Sequence, residues 1–118
     1  MMEEVYGQGI SSTAKAGNSP YMDETVSHLF GEIWSRPGLS LRDRRLLVIG
    51  ATAAIGRADL IEAQIKGALL RGELNKAELD EIGLHLAFYV GWGNSTALIR
   101  GIQAALTHFI SSDSTTTP

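Results

Sequence analysis

From Val26 to Phe109 the apolar residues recur every three or four positions, and that spacing constrains the fold more than any other feature of the chain. Residues three and four apart share one face of an α-helix, so each periodic run has to bury that face against another element. Val26, Leu29, Phe30 and Ile33 make a first stripe on a helix predicted over residues 22–35. Arg36-Pro37-Gly38 ends it, because proline disfavours helical backbone in the residue before it. Ser40 with Asp43 opens a second helix, whose stretch from Leu46 to Ile55 is apolar on every side and is expected to sit centrally. Leu60, Ile61, Ile65, Ala68 and Leu69 define a third from about Arg57 to Arg71, with Gly72 placed to close it in a left-handed conformation. Asn75 with Glu78 opens a fourth carrying Leu79, Ile82, Leu86 and Tyr89. A turn at Gly91-Trp92-Gly93 and a helix start at Asn94 lead to a fifth with Leu98, Ile102, Ala105, Leu106 and Phe109. The expected class is all-α. Gly50, Gly67, Gly83 and Gly101 fall inside these helices at a cost of about 1 kcal/mol each relative to alanine, for which close helix crossings are the simplest compensation.

The flanks read differently. Residues 1–20 are rich in glycine and serine up to the stop at Asn18-Ser19-Pro20 and are expected to form an extended or partly disordered arm, while 111–118 read as a polar tail. Residues 21–110 are then one helical domain, which is all that 118 residues provide for. Apolar residues make up 44% before the 13 glycines are counted, a surplus that points to burial against a partner. A net charge of −3 has the wrong sign for a protein that lives on phosphate contacts, so nucleic acid is not an expected partner. The absence of cysteine excludes disulfides, thiolate metal sites and thiol redox chemistry. With Glu3 and Glu4 at its start the chain shows no signal-peptide pattern, and the uncharged run from Ile82 to Ile99 is broken by His85 and the Gly91–Ser95 turn, so no membrane span is expected and the cytoplasm is the expected location. Gly7-Gln8-Gly9 and Gly91-Trp92-Gly93 lack the strand-then-helix setting of a phosphate loop.

Gln64 falls in the middle of the third helix's stripe, so its amide should point inward and needs partners there. His85 lies beside the stripe of the fourth. If the third and fourth helices pair as an antiparallel hairpin about Leu74, positions summing to about 149 lie opposite one another, and Gln64 and His85 meet that condition. They then form either a satisfied core pair or an oriented imidazole with a shifted pKa. Glu32, one turn after His28, is either a surface ion pair or a proton relay. Arg42, Arg44 and Arg45 crowd the start of the second helix, the unfavourable end of its dipole, where they could hold a substrate carboxylate or pair with glutamates of a neighbouring subunit. His108 has no carboxylate at helical spacing and reads as surface. The three histidines show no metal-ligand spacing, so no metal is expected.

The run Phe30-Gly31-Glu32-Ile33-Trp34-Ser35-Arg36-Pro37-Gly38-Leu39 followed by Arg42 and Arg44 resembles the carboxymuconolactone decarboxylase family. The likeness continues through Ala54-Ile55-Gly56-Arg57, Lys66-Gly67-Ala68-Leu69 and Ala87-Phe88-Tyr89-Val90-Gly91, and covers about residues 21–106. It implies an alkylhydroperoxidase D-like bundle of about five to six helices, assembled as a homo-oligomer, trimer or hexamer. The peroxidase branch of that superfamily carries a Cys-x-x-Cys-x-x-x-His motif, which corresponds here to Arg57, Leu60 and Gln64, so thiol peroxidase activity is excluded. The decarboxylase branch typically has histidine at the position of Gln64 and often glutamine at that of His85, and the two are exchanged here. The resemblance implies a cofactor-free carboxy-lyase acting on a small carboxylated lactone, or else a lactone- or polyketide-tailoring enzyme or a non-enzymatic small-molecule-binding protein of the same fold. In the enzyme, His85 would donate the proton or stabilise the enolate, Gln64 would orient it or serve as oxyanion donor, and Glu32 would relay the proton. Arg36, Arg44 and Arg57 would hold substrate carboxylates, and Trp34, Tyr89 and Trp92 would form walls.

Overall fold

The computed structural model describes residues 1–6 and 19–116, with side chains as far as residue 110. Among the described residues the elements are all helical: α1 (Met2–Tyr6), α2 (Pro20–Asp23), α3 (Glu24–Ile33), α4 (Leu41–Ala54), α5 (Ala58–Arg71), α6 (Lys76–Val90) and α7 (Trp92–Thr116). Capping sets most of the boundaries. Ser19 opens α2 by accepting the Met22 N–H at 3.1 Å, with Pro20 in the first turn. Ser40 does the same for α4 through the Asp43 N–H at 3.0 Å. Asn75 and Glu78 form a reciprocal capping box at the start of α6. Gly72, at φ 69°, closes α5 while the Glu73 N–H reaches back to the Ala68 carbonyl at 2.9 Å.

Several expectations need correction. Residues 2–6 are a docked helix with Val5 fully buried, where an extended arm was expected; the expected phosphate-loop negative at Gly7-Gln8-Gly9 lies outside the described residues. α3 is π-wound and ends with the Trp34 N–H bonded to the Leu29 carbonyl five residues back. That winding changes the angle between successive side chains, so the expected stripe does not stay on one face: Phe30 is buried while Leu29 is exposed. α7 begins at Trp92, two residues before Asn94, and continues to Thr116 through the expected tail. Asn94 instead sends its amide to the carbonyls of Val90 and Ala54, at 3.0 Å each, and so satisfies the C-terminal ends of α6 and α4 together.

The main core joins Ile49 and Ala53 of α4, Ile61, Ile65 and Ala68 of α5, Leu79 of α6, and Leu98, Ile102 and Ala105 of α7. A fully buried isoleucine contributes about 2 kcal/mol here. α5 packs on α7, α4 and α1, whereas α6 packs on α7 and α4. Gly101 permits the close α5–α7 approach, since a Cβ there would lie 2.7 Å from Ile61 Cγ2. A second, separate cluster holds α1 to α3 through Val5, Phe30 and Trp34. α4 is not central: Leu47 and Ile55 are 63% and 64% exposed. Leu84, Phe88 and Trp92 at the α6–α7 corner are open too, so the apolar surplus remains on the surface of the single chain. No helix among the described residues is long and apolar enough to cross a membrane.

Candidate functional site

The most concentrated polar chemistry in the fold lies where α4, α5 and α1 meet. The core stripe of α4 runs through Ile49, Thr52 and Ala53, and one turn back it reaches Arg45, which is fully buried. α5 presents Gln64, also buried, from the middle of its own stripe. The turn after Gly72 brings up Glu73, whose backbone carbonyl is held by Arg42 Nε at 3.1 Å.

Around the Arg45 guanidinium every nitrogen is engaged. Nε and Nη2 donate to the Glu73 carboxylate. Nη1 donates to the Gln64 carbonyl at 2.9 Å and the Gln64 side-chain oxygen at 3.2 Å. Nη1 and Nη2 also donate to the carbonyls of Val5 at 2.7 Å and Glu4 at 3.0 Å. Arg71 Nε donates to Glu73 from the outside at 3.0 Å. Tyr6 completes the cluster: burial pushes its phenol above the ordinary value of 10.0, and a side-chain hydrogen bond with Gln64 opposes that in part. The arrangement can hold an anion or a developing oxyanion in apolar surroundings, provided α1 gives way.

The expected site residues do not gather there. Gln64 is inward, as its place in the stripe predicts, but His85 is exposed on α6, its ring 5.2 Å from that of Tyr89. The hairpin expectation fails because α5 and α6 do not lie face to face; each puts its stripe against α7 instead. Glu32 is an exposed partner of His28 at 3.3 Å. Trp34 is buried against Phe30 in the α1–α3 cluster, and Arg36 is exposed, its carbonyl taking Arg44 Nη2 at 3.0 Å. Arg44 Nε is buried without a hydrogen-bond partner. Arg57 forks onto Asp59 at 2.9 and 2.7 Å in solvent and holds that carboxyl down to about 2. Tyr89 and Trp92 are exposed; Trp92, with Leu84, Ala87 and Ile99, lines an open apolar groove of about 370 Å³ between α6 and α7. Of the arginine cluster, Arg42 pairs with Glu78 at 3.0 Å and Arg45 with Glu73, so their glutamates come from the same chain. His108 is exposed, and no group of three potential metal ligands occurs among the described residues.

Sequence reasoning missed Arg45, Glu73 and Val5 as members of one cluster. The signal for Arg45 was its position four residues before Ile49 and eight before Ala53 on the buried face of α4.

Residues 20–104 match the model of the carboxymuconolactone decarboxylase family. The chain is 38% identical over 113 residues to a protein of Acinetobacter baylyi named 4-carboxymuconolactone decarboxylase, a match that covers 83% of this chain and 84% of the relative. No solved structure matches it. With a family match across the helices that carry Arg45 and Gln64, and a relative of nearly the same span, the chain belongs to the carboxymuconolactone decarboxylase family.

Proposed function

We propose that the chain is a carboxy-lyase acting on a small carboxylated lactone. The observation that carries this reading is the buried Arg45–Gln64 pair, a charged donor and an amide held together beside the apolar core. Loss of CO2 from an unsaturated γ-lactone leaves an electron pair that delocalises onto the lactone carbonyl, so the substrate is its own electron sink and the reaction calls for no cofactor. What remains for the protein is to position the substrate, shield the departing carboxylate from water, stabilise the enolate oxygen and deliver a proton. Gln64 serves as donor to the enolate oxygen. Arg45 anchors a carboxylate that is retained, because a guanidinium on the departing one would stabilise the ground state and slow its loss.

His85 is the proton donor in this reading, acting across an interface between copies. A homo-oligomer, trimer or hexamer, would cover the open apolar side chains of α4 and of the α6–α7 corner and bring α6 of one copy to the site of another. Glu32, engaged with His28 in solvent, is left out. Turnover of a carboxylated muconolactone by the purified protein tests the reading, with His85→Gln and Gln64→Ala each expected to lower it by about 100-fold while helicity is kept. Wild-type turnover in both variants would overturn it. A second reading, a non-enzymatic small-molecule-binding oligomer, is favoured by one observation: Gln64 is buried between α4 and α5, while His85 and Glu32 lie exposed on α6 and α3. Absence of turnover together with retained ligand binding would select it.

A further inference from the structure

We propose that the Nη1–Nη2 edge of Arg45 is a binding site for one carboxylate of a small organic acid, and that α1 occupies this site with its own backbone. The inference rests on the reading above only for the lactone part of the ligand; the carboxylate follows from Arg45 itself. Glu73 takes the Nε side of the guanidinium. The other edge receives two oxygens, the Val5 carbonyl on Nη1 at 2.7 Å and the Glu4 carbonyl on Nη2 at 3.0 Å. Two oxygens across one guanidinium edge is how a carboxylate binds, with the difference that these two are neutral.

Charge favours the exchange. Arg45 and Arg71 share the single carboxylate of Glu73, while the charge of Arg42 is matched by Glu78. The Arg45–Arg71–Glu73 trio carries one net positive charge, with Arg71 on its solvent side, and a monoanionic group on the Arg45 edge would balance the trio. Tyr6 lies beside the Gln64 side chain, so departure of α1 opens the amide next to the same edge.

α1 is also built to leave. Five residues are too few to hold a helix in water, so its order comes from docking. Its anchor, Val5, belongs to the small cluster with Phe30 and Trp34, and the main core contains nothing from α1. Its seat is a notch in α5: a Cβ at Gly67 would lie 1.7 Å from the Val5 carbonyl oxygen. A cavity of about 430 Å³ between the N-terminal segment and α3, reaching Phe30 and Gly31, gives the segment room to shift.

The test follows amide hydrogen exchange at residues 2–6 of the full-length protein during titration with 5-oxotetrahydrofuran-2-carboxylate, a saturated carboxylated lactone, and with its methyl ester. The acid should speed exchange in α1 by about 10-fold or more, and the ester should not. Val5→Ala, which weakens the anchor of α1 and leaves Arg45 and its surroundings on α5 untouched, should bind the acid about 10-fold tighter because α1 competes less. Tyr6→Ala, which loosens α1 without touching Arg45, should shift affinity the same way by less. Binding of the acid with α1 exchange unchanged, equal effects of acid and ester, or no gain of affinity in either variant overturns the proposal. Displacement of α1 by the acid without turnover of any lactone overturns the lyase reading alone. Turnover with α1 still protected overturns this inference alone.

Discussion

Arg45 and Gln64, nineteen residues apart on adjacent helices, are joined twice through one nitrogen, since Arg45 Nη1 donates to both the backbone and the side-chain oxygen of Gln64. The amide is thereby fixed with its oxygen toward the guanidinium, an orientation that apolar side chains around it could not impose.

Because the Arg45 charge is buried against Glu73, removing both partners should cost less than the sum of removing each alone. Arg45→Met is expected to destabilise the protein by about 3 kcal/mol, and Arg45→Met with Glu73→Gln by at least about 1 kcal/mol less than the sum of the single changes. Urea unfolding of the four proteins in the cycle measures this, and strictly additive losses would contradict the coupling.

Two glycines inside helices should respond in opposite directions. At Gly101 an added methyl meets Ile61 Cγ2 at 2.7 Å and the Ala58 carbonyl at 3.0 Å, so Gly101→Ala should cost about 1–3 kcal/mol. At Gly50 it meets nothing within 4 Å, so Gly50→Ala should gain about 0.5–1 kcal/mol of helix propensity. Thermal melts decide both, and a loss at Gly50 would reveal another chain lying against α4.

Tyr6 links the docking of α1 to alkaline pH. A group whose folded pKa is raised contributes stability that is complete below its unfolded value, near 10.0, and is lost as pH climbs through the folded one. α1 should therefore stay docked at neutral pH and release above pH 10 as the buried phenol ionises. Phenolate absorbance recorded alongside exchange at residues 2–6 should show the two events together, and ionisation with α1 still protected would rule out the coupling.

Asp59 acts at the other end of the scale. The Arg57 side chain, first by its hydrogen bonds and then by its charge, lowers the Asp59 carboxyl to about 2 from 3.8. A group with a depressed folded pKa contributes stability that is present above its unfolded value and lost as pH falls through the folded one. The difference in melting temperature between wild type and Asp59→Asn should thus be constant above pH 5 and shrink between about pH 4 and pH 2. A difference that persists unchanged at pH 2 would show that the Arg57–Asp59 fork contributes nothing.

What was legible in the sequence was local. Ser40, Gly72 and the Asn75–Glu78 box mark helix ends through bonds spanning three or four residues, which side-chain chemistry specifies without reference to the rest of the fold. The inward amide of Gln64 followed from its place in a stripe. Which helix would cover that stripe did not follow, because periodicity marks a buried face without naming its partner; α7 took the place that the hairpin reading gave to α6. The π-winding of α3 left no mark in its residue types, and α1 is too short to show a period at all. The candidate site was partly hidden for the same reason, since three of its parts, Val5, Arg45 and Glu73, come from segments that meet only in the folded chain. The all-α class and the family could both be read, the first from spacing and the second from the Gly31–Leu39 run.

The Asn94 amide joins a contact four residues away to one forty residues away. In the language of contact order, these are the quick and the slow ends of the folding of this chain. The bond to Val90 can form as soon as the chain turns the corner at Gly91, whereas Ala54 arrives only when the earlier helix docks. Since the near bond already holds the amide in the direction that the far one requires, the longer loop closes onto a donor that has little side-chain freedom left to lose. One side chain thus favours a sequence of events, with the corner formed first and the distant helix end received afterwards.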